Sequence, residues 1–256
     1  MSGQTAFLVD LPGARAAFST RQGGVSEGPY ESLNLGILTD DQPGRVQDNR
    51  RRLAAHLGLD PGCIAMGWQV HGTGIARWDG PPSARRDGYG TPGSELEKVD
   101  GHTTAVPGLG LLVLAADCLP VALAGGGRVA MLHCGWRGLA GGMIEEGAAL
   151  FDQPPVAAVG PGIGPCCYEV GPEVLDAFAD LETGAEDPAS LPDPSVPSSH
   201  RMLDLRAVAQ AKLHRAGVDR IEHIDLCTSC RPDLLFSHRR DGGVTGRQAG
   251  LAWLTG

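Results

Sequence analysis

The sequence predicts an α+β fold from three observations. Short apolar runs bounded by Gly and Pro recur along the chain, helical spacing is confined to a few segments, and the two kinds of element interleave irregularly. A chain of 256 residues with 42% apolar content can bury one large core, so a single domain over residues 1–256 is expected.

The elements follow in order. Ala14 to Ser19 reads as a strand, followed by the polar, glycine-rich loop Thr20 to Ser26. From Gly44 to Leu57, Val46, Leu53, Ala54 and Leu57 stand against Arg45, Asp48, Arg50, Arg51 and Arg52 at helical spacing, and Gly58 closes the helix. A short strand is expected over Ile64 to Val70, delivering His71 at its end. Residues 79–97, rich in Pro, Gly, Ser and charge, read as a surface loop or lid, after which Asp100-Gly101-His102-Thr103 resumes order. Leu109 to Ala116 is a continuous apolar run typical of a buried strand.

Val121 to Ala124 and Arg128 to His133 flank Gly125-Gly126-Gly127 as a hairpin. A three-residue loop pairs Ala124 with Arg128 and sets Leu119 opposite His133, which makes Cys118 a neighbour of His133. Because successive strand residues face opposite sides, His133 and Cys134 cannot serve the same site. A glycine-rich helix is expected near Gly138 to Leu150, a strand at Val156 to Val159, and a loop over residues 180–200. A helix over Leu205 to Ala216 and a strand over Ile221 to Leu226 complete the pattern.

Charge and cysteine usage exclude several functions. A net charge of -9 and a pI near 5.3 argue against an extended nucleic-acid footprint, which needs clustered Lys and Arg. Seven scattered cysteines, an odd number, suit the reducing cytoplasm. The first ten residues lack the basic and apolar regions of a secretory signal, and Asp117 and Pro120 break the longest apolar stretch, so no membrane role is expected. The oligomeric state is not readable.

Chemistry concentrates where an apolar strand ends in His133-Cys134 and turns through Gly135-Trp136-Arg137-Gly138 into the small-residue helix, just after Asp117-Cys118. Cys118, His133 and His71 each end a predicted strand, and a thiolate with two imidazoles forms a three-ligand zinc site with a fourth position open. The same residues can instead be a thiol nucleophile and its base, and spacing does not separate the two. Arg137 at the helix start is an anion contact, with Arg21, Arg50, Arg239 and Arg247 as weaker candidates. Cys227-Thr228-Ser229-Cys230 is a C-x-x-C without a second one to complete a four-sulfur site, so it reads as packing. Cys166-Cys167 lacks the spacing of a zinc deaminase signature.

Several segments in one order carry a resemblance: Ser19-Thr20-Arg21 through Ser26, Ser32 to Gly36, Asn49-Arg50, Gln69 to Gly72, and Ala116 to Pro120. His133 to Gly138, Gly160 to Gly171, Ser237 to Arg240 and Thr245-Gly246-Arg247 complete the set. Together they resemble the YfiH-type laccase-domain family, whose members carry the names polyphenol oxidase, purine nucleoside phosphorylase and peptidoglycan editing factor. The resemblance implies mixed β-sheets with helices packed outside. It implies His71, Cys118 and His133 as zinc ligands and catalytic cluster, with copper as an alternative metal. Arg137, Arg50, Asn34 and Arg239 are the candidate substrate contacts. The implied substrates are a purine nucleoside and phosphate: phosphorolysis of adenosine, inosine and methylthioadenosine, with adenosine deaminase activity beside it.

Three other readings stand beside this one. A copper-dependent polyphenol oxidase, an oxidoreductase, needs many clustered histidines, and the eight here include no H-x-H pair. A cysteine amidase editing peptidoglycan precursors would use Cys118 as nucleophile, His133 or His71 as base and Asp117 as orienter. A non-catalytic, zinc-stabilised binding protein would normally close its metal with a fourth ligand.

Overall fold

The computed structural model describes residues 4–82, 96–181 and 201–256, with the backbone of Ser190–Leu191. The expected loops over 79–97 and 180–200 lie largely outside the described residues.

In chain order, β1 (Ala6–Leu11) and β2 (Ala14–Ser19) precede α1 (Pro43–Leu57) and β3 (Ile64–Ala65). Next come β4 (Ile75–Trp78), β5 (Gly101–Thr104), β6 (Gly110–Ala115), β7 (Leu119–Gly125) and β8 (Arg128–Cys134). Helices α2 (Trp136–Gly141) and α3 (Met143–Ala148) lead to β9 (Val156–Val159), β10 (Glu169–Val170) and α4 (Pro172–Asp176). The chain ends with β11 (Ser190–Leu191), β12 (Arg201–Leu203), α5 (Leu205–Arg215), β13 (Ile221–His223) and β14 (Gln248–Leu254).

The fold is α+β, as expected. A five-stranded sheet, β1-β2-β14-β6-β3, faces a six-stranded sheet, β13-β9-β7-β8-β5-β4, and β10-β12-β11 form a small third sheet. Both large sheets mix parallel and antiparallel pairs. Strand alternation builds the layers. Ala122 and Ala124 of β7 and Val129 and Met131 of β8 pack inward against Phe18, Leu111, Val113 and Ala252 of the facing sheet. The opposite residues, Val121, Leu123, Ala130 and Leu132, pack against α3 and α5 through Ile144, Val208 and Leu213. Helix α1 covers the outer face of the five-stranded sheet with Leu53 and Ala54. Each fully buried leucine in these layers contributes about 1.5–3 kcal/mol, and the stacking fixes where every strand end points.

Several expectations need correction. The hairpin register is shifted by one residue: Ala124 pairs with Val129, Pro120 with His133 and Leu119 with Cys134. Gly126 and Gly127 both take positive φ, 56° and 73°, so the turn has two residues and Gly125 joins the strand opposite Arg128. The strand expected to Val70 stops at Ala65. Beyond it, Gln69 reaches across and bonds both the amide and the carbonyl of Leu114 with its side chain, imitating a strand rung. The helix expected near Gly138 to Leu150 is two short helices broken at Gly142, φ 99°. The last expected strand ends at His223. Strand β14 is not anticipated because all seven of its residues are buried, so no polar alternation marks it.

Candidate active site

The site forms where β8 leaves the sheet. His133 shares its parity with the inward-facing Val129 and Met131, so its ring turns into the gap between the ends of the two sheets. Cys134, one residue on, packs in the helix-side core, and burial raises its thiol pKa. The expectation that these two neighbours separate holds. Cys118 enters from Asp117, φ 95°, at the start of β7, and His71 sits on the segment past β3 with φ 60°. Such left-handed non-glycine positions cost about 1–3 kcal/mol each.

A buried carboxylate offsets that strain. Asp100 Oδ2 accepts the amides of Val70 and Gly72, and Oδ1 accepts the amide of His71, each at 2.9 Å. Oδ1 also lies 2.8 Å from His133 Nδ1. Burial would raise the Asp100 pKa, but the His133 hydrogen bond and the amides of Gly72 and Val70 outweigh it and lower it. One carboxylate therefore shapes the His71 loop and orients His133, leaving His133 Nε2 for the cluster.

The donor atoms of His71, Cys118 and His133 all lie within 4.8 Å of one another. The imidazole rings are 5.0 Å apart, edge to face at 71°. Burial alone would raise the Cys118 thiol, but the charge and hydrogen bond of His133, helped by His71, bring it down to about 6. His133 responds oppositely: burial lowers it, while the Cys118 thiolate and Asp100 push it up to about 9. Gly135 closes the back of the cluster, where a Cβ would stand 2.9 Å from Cys118 Sγ and 3.1 Å from His71 Cδ2. His71 is exposed, so one side stays open. Two imidazoles, one ready thiolate, a supporting carboxylate and an open side fit a metal ion with room for a further ligand.

The cluster lies in the wall of a cavity of about 420 Å³, a size suited to a small organic ligand. Arg137, Arg239 and Arg247 line it with Trp68, Trp136 and Tyr168. The Arg137 guanidinium lies 4.3 Å from the Trp136 ring, and that of Arg239 lies 5.2 Å from the Tyr168 ring. Arg239 Nη1 also donates to Glu169 O, and Arg247 Nη1 donates to Thr245 O and Gly246 O. Arg137 is the second residue of α2, but that helix has only six residues. Its dipole adds little, so the positive charge in the cavity comes from guanidiniums.

Three sequence expectations change. Arg50 is buried, with Nε and Nη2 donating to Leu35 O, so it supports a loop and not a substrate. Asn34 is buried too: its Oδ1 accepts the amides of Gly36 and Arg247, which positions Arg247 from behind. Asp117 does not orient a histidine, since its carboxylate accepts Thr228 Oγ1 and the Arg239 amide. That role falls to Asp100, which has no fixed spacing to His133, and a lone Asp before a glycine at a strand entry was its only signal.

The chain matches, over residues 15–255, the family described as multi-copper polyphenol oxidoreductase laccase. It is 37% identical over 247 residues to the Escherichia coli (strain K12) protein named purine nucleoside phosphorylase YfiH, with 94% of each chain covered. It is 39% identical over 255 residues to a purine nucleoside phosphorylase of Xylella fastidiosa (strain Temecula1), covering 95% of this chain and 93% of that one. Among solved structures, the Bacillus licheniformis hypothetical protein YfiH superposes with a TM-score of 0.88 at 31% identity, covering 98% of this chain and 97% of that one. YlmD from Geobacillus stearothermophilus superposes at 0.81 with 33% identity, covering 96% and 93%.

Proposed function

This chain belongs to the multi-copper polyphenol oxidoreductase laccase family, and on that premise we propose that it is a zinc-dependent purine nucleoside phosphorylase acting as one unit in the cytoplasm. The relatives' names support the reaction class. The observation that carries it is the set of three arginines in the same cavity wall as His71, Cys118 and His133. Zinc held by those three residues would supply Lewis-acid polarisation.

The chain's own residues do the rest. Arg137, Arg239 and Arg247 hold phosphate and offset its charge while its oxygen bonds the anomeric carbon of ribose. The bond from that carbon to the purine breaks, and its electron pair leaves with the base. Burial and the nearby Cys118 thiolate raise Tyr168 to about 12, so its hydroxyl remains a donor at neutral pH. Trp68 and Leu38 present exposed apolar surface at the cavity for the base. Adenosine, inosine and methylthioadenosine are the proposed substrates, and deamination of adenosine is the secondary activity. Among the described residues the His-containing cluster has only two histidines, which favours zinc over a polyphenol oxidase's copper set.

One observation favours a second reading, a thiol amidase: Asp100, His133 and Cys118 form a carboxylate–imidazole–thiolate line. The zinc-loaded protein, given inosine and phosphate, is expected to release hypoxanthine and ribose 1-phosphate, with no product from Cys118→Ala. Absence of product, together with amino-acid release from a muropeptide precursor, would establish the amidase instead.

A further inference from the structure

The two cysteine pairs that look unrelated in sequence meet in space. Cys166 and Cys167 follow the turn after β9, while Cys227 and Cys230 follow β13. Because β9 and β13 are parallel neighbours, both loops leave the sheet at the same end of its strands. A bridge joins Gly162 to Cys227, and the Thr228 amide donates to Gly162 O. The four sulfur atoms lie within 4.8 Å of one another, with Cys167–Cys230 at 3.4 Å and Cys166–Cys230 at 3.5 Å.

We propose that Cys166, Cys167, Cys227 and Cys230 form a second, structural zinc site with four thiolate ligands, separate from the His71–Cys118–His133 cluster. Zinc–sulfur bonds of about 2.3 Å in a tetrahedron set sulfur atoms about 3.8 Å apart, within the span seen here. A disulfide needs about 2.05 Å, and all four cysteines are free. The Gly164 amide points at Cys227 Sγ from 3.2 Å, the kind of donor that supports a metal-bound thiolate. Packing does not account for the group, because Cys166 and Cys230 are exposed, whereas a cysteine kept for packing is a buried one. Four protein ligands close the coordination sphere, so this zinc braces structure and does no chemistry.

What it would brace is one wall of the cavity. The Cys166 loop continues into Tyr168 and Glu169, whose carbonyl accepts Arg239. The Cys227 loop carries Thr228, which bonds Asp117, and Arg240 ties back to the carbonyls of Thr228 and Ser229. The inference does not depend on the purine reading.

Metal content of the full chain, purified under reducing conditions with zinc, tests it. About two zinc ions per chain are expected, falling to about one in Cys118→Ala and about one in Cys227→Ser/Cys230→Ser. A single zinc unaffected by the double substitution overturns the proposal, as does iron in its place or a disulfide between these cysteines by intact mass. Should the double variant fail to fold, cobalt loaded into Cys118→Ala decides. Intense sulfur-to-cobalt charge-transfer absorption is expected, and its absence overturns the site.

Discussion

The two sulfur clusters use overlapping chemistry for opposite ends. The His71–Cys118–His133 cluster mixes imidazole with thiolate, rests on the buried Asp100 and opens toward a cavity rimmed by arginines. The Cys166–Cys167–Cys227–Cys230 cluster has sulfur alone, rests on the Gly164 amide and joins two loops. A supporting carboxylate and a free coordination position suit exchange of substrate, whereas a filled sphere suits a brace. Residue type, the number of donors and what stands behind them together separate the two.

Asp100 is the sharpest place to break that contrast. In Asp100→Asn the His71 loop and the His133 ring lose a charged acceptor. Metal affinity of the cavity cluster should fall about 10- to 100-fold, read by competition with a chromophoric chelator, while zinc bound by the four cysteines stays. Equal weakening of both, or of neither, would mean that Asp100 does not set the first cluster apart.

Arg137 tests the cavity's positive side with a smaller effect. Its guanidinium is exposed and free of a carboxylate partner in the hydrogen bonds and ion pairs described, so Arg137→Ala should fold normally. Losing one charged hydrogen bond of about 1.5 kcal/mol should raise the KM for phosphate about tenfold, with the KM for inosine little changed. A selective rise for inosine would place the base, not the phosphate, beside Arg137.

Legibility in the sequence followed the same division. His133, Cys118 and His71 were readable because each lies at the end of an apolar run, and strand parity correctly discarded Cys134. The register was off by one because Gly125-Gly126-Gly127 does not itself say which glycine joins the strand, yet Cys118 remained beside His133 under either register. Asp100 and the cysteine tetrad were illegible for one reason: each depends on segments distant in sequence and joined only by sheet order. Arg50 misled because a cation on an exposed-looking helix can turn inward and spend its donors on a carbonyl.

The smallest effect concerns thiol reactivity after chelation. Cys118 is lowered from 9.0 to about 6 by His133 and His71 against the opposing effect of burial, whereas burial and neighbouring sulfurs raise Cys166. A lowered thiol is anionic above its pKa and loses that form as pH falls through it, so Cys118 alkylation should be half-maximal near pH 6 and plateau above about pH 7. An ordinary thiol keeps gaining anion up to about pH 9. Lower basicity also weakens the nucleophile, so at pH 7 the net advantage of Cys118 is only about three- to sixfold. The plateau is thus the stronger discriminator: peptide mapping of iodoacetamide labelling in metal-free protein should show it for Cys118 and not for Cys166. Cys118 labelling that climbs steadily to pH 9 would show that the imidazoles do not hold its thiolate, and that the cluster needs its metal to become reactive.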